Sequence, residues 1–291
     1  MSGPLVRSRP DRCPGALRPW PAADGALVRI RLVGGRLSPA SLAALGRVAR
    51  EHGDGAVHLT GRANLQLRGL PLAQESPPAL HESLVQAIEA TGLLPSRSHE
   101  LVRNLMVSPL TGLSGGRADL RPVARDLDSL IRADAVLAGL PGRFLFVLDD
   151  GRGDLADRGT DLGLVALDET LGQLRVGSAG WGPVVPLPEV AARLAALARC
   201  FLHVRGTGPT AAWHVDELPD PLVAPVPRDA RTRVSSPPLP YGSVPGGHHV
   251  AAPDGVLGPE LLADLVERAE GRELVVTPWR GVLVPDTEVQ R

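Results

Sequence analysis

A long-range internal repeat constrains the fold of this chain more than any other feature of its sequence. Residues 25–70 read as a strand, a Gly/Pro turn, a proline-opened helix and then "AVHLT" and "GRANLQL". Residues 247–286 read as a short strand, a helix opened by Pro259, and then "ELVVT" and "PWRGVLV". A repeat across so much intervening chain predicts two half-domains that pair. Two unrelated α+β units with common helix and strand patterns are the alternative.

The first copy has the element order of a small α+β domain. Segment 25–35 alternates apolar residues with Arg29 and Arg31, which predicts a half-buried strand with solvated arginines. Ser38–Pro39 opens a helix as N-cap and first-turn proline. Two strands follow, and Ser76–Pro77 is predicted to open the next helix. This β-α-β-β-α order predicts a ferredoxin-like unit.

The stretch "HLTGRANLQLRG" over residues 58–69 alternates apolar and polar side chains. Because strand side chains alternate between faces, an extended chain here would show one face of hydrogen-bond donors. The donors are Arg62, Asn64, Gln66 and Arg68. In the second copy, Arg280 follows Thr277 as Arg62 follows Thr60. A solvated sheet face is the alternative interpretation of this pattern.

The middle of the chain has its own pattern. Residues 121–140 predict a helix, and residues 143–151 predict a strand that leads into a tight acidic turn. Residues 161–167 and 171–177 resemble a hairpin, and Pro188 opens a further helix.

Two other segments of the middle region leave alternatives open. The aspartates near the acidic turn fail the EF-hand spacing, so solvated carboxylates are expected rather than a cation loop. They are Asp149, Asp150, Asp154, Asp157 and Asp161. Residues 206–247 hold nine prolines and little periodicity, which indicates either a long linker or an ordered wrap over the surface.

The composition of the chain argues against nucleic acid and membranes as partners. The net charge is −1, which gives no basic field for nucleic acid or an anionic membrane, and no apolar run reaches the ~18 residues of a membrane span. Residues 1–15 lack an apolar signal core, so a cytoplasmic location is expected. The sequence contains no lysine, so every strongly cationic contact must come from arginine. Cys13 and Cys200 are too few to ligate an ordinary iron–sulfur cluster.

Four motifs in this order resemble the nitrite/sulfite reductase family: "LTGRANLQLRG", "RNLMVSPLTG" (103–112), "LPGRFLFVLDDG" (140–151) and "VVTPWRGVLV" (275–284). The opening over residues 11–38 resembles its cobalamin-pathway branch, the precorrin-3B synthases. The resemblance implies an α+β fold with two ferredoxin-like half-domains related by a pseudo-dyad, plus a central α/β domain of the sulfite-reductase type. The implied segments are a first half-domain at 1–98, the central domain at 99–205, a proline-rich linker at 206–246 and a second half-domain at 247–291.

The resemblance also implies a ligand. Sirohaem and the precorrins are ringed by carboxylates, which the planar fork of arginine meets bidentately. The residues that the family pattern and the repeat place at a tetrapyrrole are Arg62, Asn64, Gln66, Arg68, Arg103, Asn104, Arg143 and Arg280. Leu145 stands where reductases carry a second lysine, which favours the precorrin-3B synthase branch. No catalytic residue and no metal ligand is assigned.

The family further implies a 4Fe–4S cluster and sirohaem or a precorrin substrate. Its cluster cysteines, spaced C-x5-C and C-x3-C, are expected after the "TPWRGVLV" segment, where this sequence has none. We therefore expect a precorrin-3B synthase-like oxidoreductase of cobalamin biosynthesis, which hydroxylates a precorrin ring with molecular oxygen and closes a lactone. Its cluster-bearing half would be a separate polypeptide. The alternative is a non-catalytic tetrapyrrole-binding fragment, or a degenerate homologue without its redox centre.

Overall fold

The computed structural model describes residues 11–73 and 76–286. The chain forms two compact units. The central unit contains Leu101–Pro237 with residues 11–12, and the paired unit contains Cys13–Glu100 and residues 238–286.

The first ten residues, on which the expectation of a missing signal core depends, lie outside the described part of the chain. Within that part, no helix combines the length and the apolar character that crossing a bilayer requires.

The regular elements follow one another in three groups. The first group is β1 (Trp20–Ala22), β2 (Gly25–Ile30), β3 (Arg36–Leu37), α1 (Pro39–His52), β4 (Val57–Leu59), β5 (Leu65–Leu70) and α2 (Glu82–Glu89). The central group is β6 (Leu105–Val107), α3 (Arg121–Ala133), β7 (Phe146–Asp149), β8 (Leu162–Ala166), β9 (Leu171–Val176), β10 (Gly180–Pro186) and α4 (Leu187–Val204). The last group is β11 (Gly242–Val244), β12 (Gly247–Ala251), β13 (Val256–Leu257), α5 (Pro259–Ala269), β14 (Leu274–Val276) and β15 (Gly281–Pro285).

The paired unit contains two five-stranded sheets with matching strand orders, β1-β2-β5-β4-β13 and β11-β12-β15-β14-β3. Each half supplies the edge strand of the other half's sheet. Leu37 of β3 pairs with Leu274 of β14, and Leu257 of β13 pairs with Val57 of β4. The exchange covers one edge of each sheet, which an isolated half would leave unpaired. The predicted repeat of two paired ferredoxin-like halves is confirmed, with β4–β5 and β14–β15 in equivalent places.

The close approach of the two halves depends on glycines. Gly35 precedes β3 with a φ of 73°, and a Cβ there would collide with the backbone oxygen of Val276. Gly46 of α1 faces Leu262 of α5, where a Cβ would lie 2.8 Å from the leucine Cδ1. The buried apolar side chains of both halves form one continuous core.

The helix starts show where local signals suffice. Ser38 caps α1 as predicted, because its side chain accepts a hydrogen bond from the backbone of Ser41. The predicted start at Ser76–Pro77 is wrong, since α2 begins at Glu82. Leu72 and Leu80 instead form an isolated antiparallel bridge ahead of this helix.

The central unit is one sheet of order β10-β9-β8-β7-β6, in which β6, β7 and β8 run parallel. The predicted hairpin at 161–177 is confirmed as β8 and β9. Helix α3 ends at Ala133 and not at residue 140, because Asp134 leaves the helical conformation and its side chain accepts from the backbone of Val136.

Residues 206–237 belong to the central unit and are ordered against its sheet. The backbone N–H of Val226 donates to the carbonyl of Trp181 at 3.1 Å. The Gln173 amide donates to the carbonyl of Pro227 at 2.9 Å and accepts from the N–H of Asp229 at 2.8 Å. Of the two alternatives for this proline-rich stretch, the structure has the ordered wrap.

Candidate functional site

The segment that joins β4 to β5 is a tight turn. The N–H of Thr60 donates to the carbonyl of Asn64 at 2.9 Å, and the N–H of Ala63 donates to the carbonyl of Thr60 at 3.1 Å. Ala63 has a φ of 56°. Residues 58–69 are therefore not one extended strand, and the predicted continuous donor face breaks at Arg62, which lies in the turn.

Two of the polar residues after Arg62, Asn64 and Arg68, have internal partners. Asn64 is buried, and its side-chain oxygen accepts the N–H of Leu32 at 2.8 Å. Gln66 is half-buried on β5. Arg68 donates from Nε to Asp24 at 3.1 Å. Asn64 thus joins β5 to the segment after β2.

The second half repeats this turn. The N–H of Thr277 donates to the carbonyl of Gly281 at 2.9 Å, and the N–H of Arg280 donates to the carbonyl of Thr277 at 3.2 Å. Arg280 is exposed and has a φ of 59°, so it occupies the place of Ala63 and not that of Arg62. The predicted correspondence of the two arginines is wrong by one residue.

A buried histidine supports the second turn, and sequence reasoning did not find it. His249 of β12 is fully buried between the carbonyl of Pro240 at 3.0 Å and the hydroxyl of Thr277 at 2.9 Å. Burial lowers the pKa of His249. The Tyr241 ring lies 4.7 Å from the imidazole, and its hydroxyl donates to the carbonyl of Trp279. The histidine therefore links the second turn to the segment before β11.

Arg103 is buried immediately before β6. Its Nε donates to a carboxylate oxygen of Asp128 on α3 at 2.6 Å. Arg132, one helical turn further along α3, donates to the other oxygen at 2.9 Å. The structure thus gives Arg103 an ion pair that attaches α3 to the sheet.

Asn104 and Arg143, two more of the predicted tetrapyrrole residues, lie at the amino ends of parallel strands. Asn104 is buried before β6, and its amide donates to the carbonyls of Leu101 at 3.1 Å and Gly142 at 2.9 Å. The bond to Gly142 fixes the loop before β7. The next residue of this loop, Arg143, is exposed. Arg103, Asn104 and Arg143 therefore lie at one edge of the central sheet. The other five predicted tetrapyrrole residues lie in the paired unit. Their contact with a tetrapyrrole stays a prediction.

The acidic turn after β7 is mostly buried. The expectation of solvated carboxylates is wrong for Asp149, Asp150, Asp154 and Asp161, whereas Asp157 is exposed as expected. Asp149 is 1% exposed and accepts the backbone N–H groups of Gly151 at 2.9 Å and Gly153 at 3.0 Å. Burial raises the pKa of Asp149. The backbone N–H groups of the loop thus hydrogen-bond to this carboxylate and not to water.

The other two carboxylates of this turn also have partners. Asp150 is fully buried and forms a bidentate pair with Arg152, with an N–O distance of 2.6 Å. Asp154 accepts the hydroxyl of Ser108 at 2.7 Å, and burial together with Asp149 raises the pKa of Asp154 to about 7. Ligand atoms of the three aspartates lie within 4.8 Å of one another. The Arg152 guanidinium, paired with Asp150, offsets one carboxylate charge of this cluster.

The chain after the "RCPG" segment (residues 12–15) is held by a residue that the sequence analysis did not identify. Glu100 is buried and accepts the N–H groups of Ala16 at 2.6 Å and Leu17 at 2.9 Å. Arg31 is 3% exposed and donates to the carbonyls of Pro14 and Glu100, so the expectation that it is solvated is wrong. Burial raises the pKa of Glu100. No local pattern indicates these contacts, because they join distant parts of the chain.

The cysteines do not fit an iron–sulfur cluster. Cys13 is half-buried in the paired unit and Cys200 is exposed near the end of α4 in the central unit. A cluster of the usual kind needs four thiolates, which this chain does not contain.

Comparisons with known proteins agree on one family. The model of the nitrite/sulfite reductase ferredoxin-like half domain matches residues 21–77, which include the Arg62 turn. A precorrin-3B synthase from Sinorhizobium sp is 32% identical over 153 residues, which is 52% of this chain and 31% of the relative. A ferredoxin–nitrite reductase from Synechococcus elongatus is 31% identical over 133 residues, which is 43% of this chain and 25% of the relative.

The fold is similar to that of a solved structure. The structure of the Mycobacterium tuberculosis NirA protein matches 98% of this chain and 58% of its own length, with a TM-score of 0.67 and 19% identity. The matched segments therefore span about a third or less of the curated relatives and about three fifths of the solved structure.

Proposed function

We propose that this chain is the tetrapyrrole-binding part of a precorrin-3B synthase-like oxidoreductase of cobalamin biosynthesis, and its similarity to the nitrite/sulfite reductase family supports the proposal. The observation that carries the proposal is the position of Arg62, half-buried in the Thr60–Asn64 turn of the matched half domain. The likeness to a precorrin-3B synthase supports the choice of substrate.

The proposed ligand is a polycarboxylate tetrapyrrole, a precorrin or sirohaem. In this proposal Arg62 donates to a peripheral carboxylate, and Arg280 and Arg143, both exposed, supply further positive charge on their units. Asn64 and Asn104 act indirectly, because their amides are already engaged in positioning the backbone. Arg103 acts indirectly as well, through its pair with Asp128.

The redox centre is proposed to come from elsewhere. A 4Fe–4S cluster, when bound beside sirohaem, would supply electrons to the tetrapyrrole site. Since Cys13 and Cys200 do not fit its coordination, we propose that its ligands lie outside this sequence, on a continuing chain or on a separate cluster-bearing polypeptide. No step of the reaction is assigned to residues of this chain.

A non-catalytic tetrapyrrole carrier is the second candidate, and the same shortage of thiolates favours it. Anaerobic purification of the native assembly, with iron and sulfide analysis, separates the two candidates. Stoichiometric iron and sulfide in an assembly that contains this chain supports the oxidoreductase. If the assembly retains sirohaem but contains no sulfide, and no iron other than that of sirohaem, the carrier is supported.

Titration of the purified chain with sirohaem, followed by absorbance, tests the binding site. Arg62→Ala is expected to weaken binding by about 1.5–3 kcal/mol, or about ten- to hundredfold in Kd. Arg62→Lys recovers only part of the loss, because a point charge does not reproduce the bidentate fork. The matched control is Arg268→Ala on α5, whose arginine is 53% exposed and pairs with Asp264. Equal affinities for all four proteins would refute the role of Arg62.

A further inference from the structure

The central unit contains a cavity that the tetrapyrrole proposal does not use. Its volume is about 290 Å³. It lies over the face of the sheet that carries Asp149 and Val165, which are paired neighbours on β7 and β8. Arg228, Thr232 and Val234 of the ordered wrap also line it. The cavity is thus enclosed by elements of one unit.

Arg175 of β9 lines this cavity with few partners. Arg175 is 6% exposed. Among the described residues, its side chain forms one hydrogen bond, from NH2 to the carbonyl of Arg158 at 3.2 Å. No carboxylate of the described chain forms an ion pair with it. A buried guanidinium carries five N–H donors and a full charge, so most of its donors here have no protein acceptor. Burial and the proximity of Arg228 lower the pKa of Arg175, while Asp149 opposes the shift.

Arg228 brings a second guanidinium to the same cavity. It is exposed at the rim, where Nε donates to the Thr232 hydroxyl at 2.9 Å and NH2 donates to the Thr232 carbonyl at 2.7 Å. Its guanidinium carbon lies 4.8 Å from the centre of the Trp181 ring. These contacts fix its orientation and leave its remaining terminal nitrogen without a described acceptor.

The cavity is therefore cationic. Its one lining carboxylate, Asp149, already accepts backbone N–H groups of the loop after β7, and it faces two arginines. Two guanidiniums with spare donors in a partly buried space are the arrangement that binds a carboxylate or phosphate bidentately.

We propose that this cavity binds a small molecule through its oxyanion group, a carboxylate or a phosphate, held by Arg175 and Arg228. The apolar part of the lining, which includes Val165, Trp181 and Val234, accommodates a short apolar portion of the same molecule. The proposal stands independently of tetrapyrrole binding.

Arg103, Asn104 and Arg143 are not among the described residues that line this cavity. Arg103 and Arg143 precede the parallel strands β6 and β7, whereas Asp149 is the last residue of β7 and Gly151 and Gly153 follow it. Residues before and after parallel strands lie at opposite edges of a sheet. Gly151 and Gly153 therefore lie at the carboxyl edge, whereas Arg175 pairs with Gly163 near the start of β8, so the cavity extends across the face of the sheet between its two edges.

Thermal unfolding and tryptophan fluorescence of the whole chain test this site. The probes are inorganic phosphate and succinate, each at millimolar concentration and matched for ionic strength with sodium chloride. Both wild type and the control Arg193→Gln, an exposed arginine paired with Glu189, are expected to show saturable stabilisation by at least one probe. A response to phosphate alone identifies a phosphate ligand, and a response to succinate alone identifies a carboxylate.

The variants are Arg175→Gln and Arg228→Gln, and each is expected to raise the apparent Kd of the probe by about ten- to hundredfold. Arg228→Gln alters an exposed side chain, so it keeps the test valid where the buried substitution unfolds the protein. Sirohaem affinity is expected to stay unchanged in both. The proposal is overturned when neither probe acts beyond the salt control, or when the control and the Arg228 variant respond alike.

Discussion

The buried pair of Arg103 and Asp128 supports a prediction that separates a structural role from a ligand role. The two side chains are 8% and 10% exposed, and the Nε–Oδ1 distance is 2.6 Å. Arg103→Met removes the charge and keeps much of the volume. We expect it to destabilise the central unit, because the Asp128 carboxylate then stays buried with fewer partners.

The magnitude follows from the remaining contacts. Breaking a buried ion pair costs about 3–5 kcal/mol. Arg132 still donates to the other oxygen of Asp128 at 2.9 Å, so we expect the lower end, about 3 kcal/mol. For a domain of this size that corresponds to a decrease of about 6–12 °C in Tm.

Differential scanning calorimetry of wild type and three variants measures the effect. Arg132→Ala is the control, and because its side chain is 38% exposed, its loss is expected to cost at most about 1 kcal/mol. The double variant Arg103→Met/Asp128→Leu is expected to regain most of the lost stability, since an apolar pair no longer buries a lone charge. An unchanged Tm in Arg103→Met, together with weaker sirohaem binding, would refute the structural role.

Two further predictions concern the acidic turn and the exchanged strands. The pKa of Asp154 is about 7 in the folded chain against 3.8 when unfolded, so the folded state binds more protons between these values and wild type loses stability as pH rises from about 4 to about 7. Asp154→Asn is expected to remove up to about 1.4 kcal/mol per pH unit of this slope in urea unfolding, and an unaltered slope contradicts the assignment. Gly35→Ala is expected to cost more than the roughly 1–2 kcal/mol of Gly55→Ala, since both have a positive φ but only Gly35 faces the backbone oxygen of Val276. Equal losses in thermal unfolding would show that the approach of β3 to β14 tolerates a methyl group.

Local sequence determined the elements that depend on neighbouring residues. The Ser38 cap, the hairpin at 161–177 and the repeat of turn-linked strands all follow from side chains within a few residues of one another. The family motifs also came from sequence alone, and the match over residues 21–77 agrees with them. Periodicity indicates these features because burial of one face is a local consequence of strand and helix geometry.

Tertiary structure decided which polar groups are buried and what they contact. The alternation around Arg31 indicates a solvated arginine, but carbonyls at Pro14 and Glu100 accept its protons. The acidic turn indicates solvent, but the chain folds over Asp149 and supplies backbone donors. The two halves exchange β3 and β13, a pairing that alternation does not specify, because a short strand fits either sheet edge. Burying a charge is costly unless its partners are brought to it, and those partners come from parts of the chain that only the complete fold places together.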